Sequence, residues 1–122
     1  MAKVLVVEDN GANMRLALLL LTSVGHTVLQ ATSGEGALTS ARNERPDLIL
    51  MDIQLPGMDG LEAIAQLKRD EATRDIPMIA LTALAMKGDE ERIRAAGCDG
   101  YIAKPIRYQE FLAVIAAELA RL

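Results

Sequence analysis

Five short apolar, β-branched runs, each followed by a segment with helical spacing, constrain this chain more than any other feature. The runs are KVLVV (3–7), TVLQA (27–31), DLILM (47–51), PMIAL (77–81) and GYIA (100–103). Strands that are continuously apolar are buried on both faces, and strict strand and helix alternation calls for parallel pairing through helical crossovers. The expected fold class is therefore α/β, a doubly wound parallel sheet of five strands with helices on both faces. With 122 residues the chain has the size of one domain, able to bury roughly two-thirds of its unfolded surface. No repeat, low-complexity stretch or linker divides it, so a single domain over 1–122 is expected, with no output domain.

The helical segments carry their own punctuation. Residues 13–24 hold Leu16, Leu20 and Val24 at four-residue intervals and stop at Gly25, a helix C-terminal signal. Residues 34–44 carry Ala37, Leu38 and Ala41. The third segment opens with DGLE, where Asp59 can cap and Glu62 follows three positions later, above Leu61, Ile64 and Leu67. The fourth, GDEERIRAAG, sets Asp89, Glu90 and Glu91 in a first turn, where the helix dipole favours acids, and stops at Gly97. The last, from about Tyr108, shows Phe111, Leu112, Ile115 and Leu119. In the first helix NMRLALLLLTSV is apolar around most of its circumference, with Arg15 as the only charge. The stripe Leu16, Leu20 and Val24 is expected to face the sheet, which leaves Met14 and Leu18 on another side as a partner-docking patch.

Composition excludes several classes of function. The net charge is −4, from 13 basic and 17 acidic residues, with no Lys/Arg cluster to meet phosphates. The aromatics Phe111, Tyr101 and Tyr108 offer little for base stacking. Direct nucleic-acid binding is set aside. No apolar stretch approaches the ~20 residues of a membrane span, and the opening MAKVLVVED lacks the core and cleavage site of a secretory signal. Cys98 is the single cysteine and cannot form an internal disulfide, which agrees with a reducing, cytoplasmic setting.

The chemistry gathers at one edge. In LILMDIQLPGMDG (48–60) an apolar strand ends in Asp52 and breaks into a loop with Pro56, Gly57 and Gly60; a carboxylate beside a buried strand is costly unless a positive group meets it. Open α/β sheets bind ligands outside the carboxyl ends of their strands. There this chain carries Glu8-Asp9, Asp52, Thr82-Ala83 and Lys104-Pro105. Three carboxylates close together repel, which raises their pKa values or recruits a cation, and Lys104 offsets one charge only. Carboxylate oxygens suit Mg²⁺ or Mn²⁺, and no His pair or Cys cluster offers a zinc site. A carboxylate beside a divalent cation, with a lysine and a hydroxyl nearby, has the parts for phosphoryl transfer to an aspartate, with Asp52 as the nucleophile.

These residues resemble the receiver domains of bacterial two-component response regulators. The resemblance covers the whole chain and rests on Glu8-Asp9, on MDIQLPGMDG around Asp52, on LTA with Thr82, and on KP at Lys104-Pro105. It implies the strand order 2-1-3-4-5. It implies Asp52 as phosphoacceptor, Asp9 and Asp52 as Mg²⁺ ligands, the Gln54 backbone carbonyl as a third ligand, and Glu8 acting through metal-bound water. Thr82 and the Ala83 backbone N–H would meet the phosphoryl oxygens, Lys104 would pair with them, and Tyr101 would be the aromatic whose rotation accompanies switching. The peptide before Pro105 would be cis. Glu8 stands where many members have Asp.

On this resemblance the donor is the phosphohistidine of a sensor histidine kinase or a histidine phosphotransferase. The downstream protein would then read the surface of the fourth helix, fifth strand and fifth helix. Gln54 and Leu84 are expected to border the phosphoryl group and tune its lifetime. Such a protein promotes its own phosphorylation and dephosphorylation and is not a multi-turnover enzyme. The stretch ALAMKGDEERIRAAGCDGYIAKPI is also similar to receiver modules of hybrid sensor kinases. An aspartyl-phosphate hydrolase of the haloacid-dehalogenase type expects its nucleophile after the first strand in a D-x-D pattern, where this chain has Glu8-Asp9-Asn10. A flavodoxin-like carrier needs a phosphate cradle at that same loop, and EDNGAN would repel one.

Overall fold

In the computed structural model, which describes residues 2–83 and 87–121, strands and helices alternate as the apolar pattern requires. The elements are β1 (Lys3–Val7), α1 (Gly11–Ser23), β2 (Thr27–Ala31), α2 (Gly34–Glu44), β3 (Leu48–Asp52), α3 (Gly60–Arg69), β4 (Met78–Thr82), α4 (Lys87–Ala95), β5 (Gly100–Ala103) and α5 (Tyr108–Ala120). The sheet runs β2-β1-β3-β4-β5 with every neighbouring pair parallel. The order reverses between β1 and β3, and that reversal opens a crevice at their carboxyl ends.

The strands divide the core by alternation. Leu5, Val7, Ile49, Met51, Met78 and Ala80 pack towards α2, α3 and α4, against Ala37, Ala41, Ala63, Ile64, Leu67 and Ile93. Val4, Val6, Leu48, Leu50, Ile79 and Leu81 pack towards α1 and α5, against Met14, Ala17, Leu21, Phe111 and Ile115. β3 and β4 are buried along their whole length, as central strands of a covered sheet must be.

Two boundaries differ from the sequence reading in a way that matters. β3 and β4 each begin one residue later than expected, so Asp52 and Thr82 are the last residues of their strands and not the first of their loops. Asp47 is occupied otherwise: its carboxylate accepts from Lys3 N at 2.8 Å and its own N–H donates to Lys3 O at 2.7 Å. At the other end the ladder carries on through Asp52 and Thr82, pairing Asp52 with Leu81 and Thr82 with Ala103.

The first helix corrects a sequence expectation. Its buried stripe is Met14, Ala17 and Leu21, whereas Leu16 and Val24 are 36% and 48% exposed and Leu19 is 65% exposed. Met14 therefore belongs to the core and not to a docking patch, and Leu18 is half-buried at the margin of the exposed face. A helix apolar on every side has no phase readable from spacing alone. Here small Ala17 lets the helix approach the sheet, and Met14 and Leu21, three residues before and four after it, fill the space on either side.

The amino-terminal edge of the sheet is braced by one lysine. Lys68 Nζ, from α3, donates to Arg74 O and Ile76 O and pairs with Asp99 Oδ2, each at 3.2 Å. Asp99 Oδ2 also accepts from Met78 N at 2.8 Å, and Asp99 N donates to Met78 O at 2.7 Å. Gly97 (φ 107°) lies against the Lys68 stem, where a Cβ would come within 2.8 Å of Cγ. A polar cavity of about 280 Å³, lined by Lys68, Arg74, Asp75, Pro77, Asp99 and Arg121 among others, opens beside this brace, away from the carboxyl-end crevice.

The phase of α1 is checked by denaturation. Leu21→Ala should lower the urea-derived stability by about 2–5 kcal/mol, while Leu19→Ser should stay within about 0.5 kcal/mol of wild type.

Candidate functional site

The register assembles the site. Val7 pairs with Met51, so the residues that follow, Glu8 and Asp52, stand side by side at the carboxyl ends of β1 and β3. β4 lays Leu81 beside Asp52 and Thr82 beside Ala103, and Lys104 N donates to Thr82 O at 2.7 Å. Glu8, Asp52 and Thr82 are buried, at 1%, 2% and 0% exposure. Asp9, Gln54 and Ala83 are exposed, and Tyr101 is half-buried against the core on the α3 and α4 side. The Lys104–Pro105 peptide is cis. Leu84 lies outside the described residues.

Lys104 is the positive centre. Its Nζ donates to Asp52 Oδ2 at 3.0 Å and lies 3.1 Å from Glu8 Oε2. Burial by itself would push this ammonium down, but the contacts with Asp52 and Glu8 outweigh it and hold the group above its ordinary range. The other oxygens are held by main chain: Asp52 Oδ1 accepts from Gln54 N at 2.9 Å, and Glu8 Oε1 from Asn10 N at 3.1 Å. Glu8 Oε2 is buried with no hydrogen bond, its approach to Lys104 being an ion-pair contact without donor alignment.

Glu8, Asp9 and Asp52 each offer an oxygen, and these atoms lie within 4.8 Å of one another. Burial raises the Glu8 pKa above 4.5, and the neighbouring Asp52 raises it further. Three acids around one ammonium leave excess negative charge, and the buried Glu8 Oε2 has the Lys104 ion-pair contact but no hydrogen bond. The donor set is all oxygen, so it fits a hard divalent cation such as Mg²⁺.

Comparison with known proteins decides the family. Residues 4–116 match the family model described as the response regulator receiver domain. The chain belongs to that family. It is the receiver domain of a two-component response regulator, a signalling class whose members interact with histidine kinases and downstream targets. It is 53% identical over 116 residues to the polar-differentiation response regulator DivK of Brucella ovis, covering 95% of this chain and 94% of that one. In structure it is similar to the receiver domain of a sensor histidine kinase from Pseudomonas aeruginosa PAO1, with a TM-score of 0.91 and 37% identity over 98% of both chains. That neighbour holds a magnesium ion in its active-site cleft. A response regulator from Chloroflexus aurantiacus gives a TM-score of 0.93 at 30% identity, again over 98% of each chain.

Two residues of the receiver's crevice were not singled out from sequence. Asn10 serves twice, its main-chain N–H fixing Glu8 Oε1 and its side chain accepting from Asn13 N at 3.0 Å as the cap of α1. An Asn just before a helical stretch is a capping signal, but the expected start at residue 13 hid it. Gly60 reads in the sequence as a loop glycine where the DGLE segment opens, with no role of its own. Cys98 takes no part: it is buried, and burial, with the charge of Asp99, pushes its thiol up to about 12. Among the described residues, no helix is long and apolar enough to cross a membrane.

The Glu8 shift gives a signed prediction. Its folded pKa is above the unfolded value of 4.5, so the native state loses stability as pH rises through that interval and carries the full penalty above it. In EDTA at neutral pH, Glu8→Gln should raise the thermal midpoint above wild type, and below about pH 4 the difference should vanish. Added Mg²⁺ should stabilise the wild type more than the variant.

Proposed function

We propose that Asp52 of this receiver accepts a phosphoryl group from a partner's phosphohistidine and that the phosphorylated form signals through protein contacts. The observation that carries this reading is the Asp52 carboxylate at the end of a fully buried strand, with Lys104 Nζ 3.0 Å from one oxygen and the Gln54 N–H 2.9 Å from the other.

The nucleophile is fixed from both sides before the donor arrives, which is the positioning that phosphoryl transfer needs. As a carboxylate oxygen of Asp52 bonds to phosphorus, the bond from phosphorus to the donor imidazole breaks and the departing nitrogen takes up a proton. Lys104 then faces the transferred group and offsets part of its charge. Thr82 and the Ala83 N–H meet its remaining oxygens, and Tyr101 follows the movement of Thr82. Asp9, Asp52 and the Gln54 carbonyl would hold Mg²⁺, with Glu8 acting through its water. Bound there, the cation screens the carboxylates from the incoming phosphoryl group. Gln54, exposed beside Asp52, borders the group and sets how readily water reaches it.

Partner docking falls to the exposed side of α1. Leu16 and Leu19 stand there with Leu18 at the margin, in place of the Met14 and Leu18 pairing expected from spacing. The kinase or phosphotransferase approaches on this side of the crevice, and the downstream protein reads the face of α4, β5 and α5. The setting is cytoplasmic, in keeping with a single inert thiol.

Asp52→Asn should abolish labelling by acetyl phosphate, and persistent labelling of another residue would overturn the assignment. Leu19→Glu should slow transfer from a phosphorylated kinase by about tenfold or more while leaving acetyl phosphate labelling unchanged. Steady release of phosphate from small phosphoesters would instead favour a hydrolase.

A further inference from the structure

The loop between Asp52 and α3 contains two glycines that are there for opposite reasons. Gly57 has φ 76° and open space around it, so its backbone torsion calls for glycine. Gly60 has an ordinary φ, but a Cβ there would stand 2.2 Å from Asp52 O, 2.6 Å from Ile53 Cα and 2.8 Å from Asp52 C. Every one of those atoms is main chain, so no side-chain rotation relieves the clash.

Gly60 is also the first residue of α3, buried, with its N–H donating to Ile53 O at 3.3 Å. Asp59 holds that first turn rigid, its carboxylate accepting from Glu62 N at 2.8 Å. The end of a capped helix therefore rests directly on the peptide that carries Asp52. The same short segment sets the Asp52 Oδ2 contact with Lys104 and the Gln54 N–H bond to Oδ1. A second close contact lies behind it, where a Cβ at Gly34, at the start of α2, would meet Met58 Cβ, Cγ and O at 3.1 Å.

We propose that Gly60 is a positioning residue for the phosphoryl acceptor, its missing side chain letting α3 seat the Asp52 and Ile53 backbone at the depth where the Asp52 carboxylate meets both Lys104 and a cation. This rests on the reading of Asp52 as phosphoacceptor. Any side chain at 60 moves the nucleophile itself, and a shift on the order of 1 Å in a reacting group costs about a hundredfold in rate.

The test compares wild type, Gly60→Ala and Gly97→Ala by thermal unfolding, by Mg²⁺ titration and by acetyl phosphate labelling at saturating Mg²⁺. Gly97→Ala strains a left-handed glycine against the Lys68 stem at the far edge of the sheet, so it lowers stability without touching the crevice. Gly60→Ala should weaken Mg²⁺ binding about tenfold and slow labelling about a hundredfold. Gly97→Ala should keep both within about twofold of wild type despite its lower midpoint. If Gly60→Ala does not fold, Gly34→Ala, which presses on Met58 in the same loop, should move both readouts in the same direction by more than about twofold. Labelling and Mg²⁺ affinity within twofold of wild type in Gly60→Ala, or in Gly34→Ala where it stands in, would overturn the proposal, as would equal losses in Gly97→Ala. A wild type unlabelled at Asp52 overturns the underlying reading first.

Discussion

Everything at the carboxyl edge of this sheet is organised around one ammonium group shared by two buried acids. Lys104 lies 3.0 Å from Asp52 and 3.1 Å from Glu8, and nothing else among their described contacts carries positive charge. An ion pair at this depth survives only when its geometry is good and its remaining atoms are satisfied. Here the second condition is left incomplete, since Glu8 Oε2 has no donor and Asp9 adds a third charge close by. The fold tolerates this deficit because the strands beneath are held by a fully apolar core, and three carboxylates with that deficit form a donor set suited to a hard divalent cation. Function here is an electrostatic imbalance kept in place by packing.

Much of this was legible in the sequence, because strand ends in a parallel sheet are one-dimensional landmarks. Continuous apolar runs fixed the number of strands, and the residue after each run is where an open α/β sheet presents its chemistry. Glu8, Asp9, Asp52, Thr82 and Lys104 all gather at the crevice. The one-residue shift of β3 and β4 mattered because it turns Asp52 and Thr82 from loop residues into rigid strand ends. Spacing could not see this, since whether an acid joins a ladder depends on the partner strand.

Helix α1 was less legible. A segment whose apolar residues surround the axis carries no preferred face, and the choice among Leu16, Ala17 and Leu18 is made by how closely the backbone can approach the sheet. Three-dimensional closeness also decided Gly60. Within the sequence it looks like Gly57, and only the main-chain atoms of Asp52 and Ile53 separate a glycine required for space from one required for torsion.

The brace at the opposite edge has a mechanical meaning. Lys68 and Asp99 clamp the amino ends of β4 and β5, while the carboxyl ends of the same strands carry Thr82 and Lys104. Strands fixed at the root and loaded at the tip act as cantilevers. Added load at the tip deflects the loops that leave it and hardly disturbs the root. On the proposed function, a phosphoryl charge added at Asp52 would displace the loops at the tips, against a frame that Lys68 and Asp99 hold at the root.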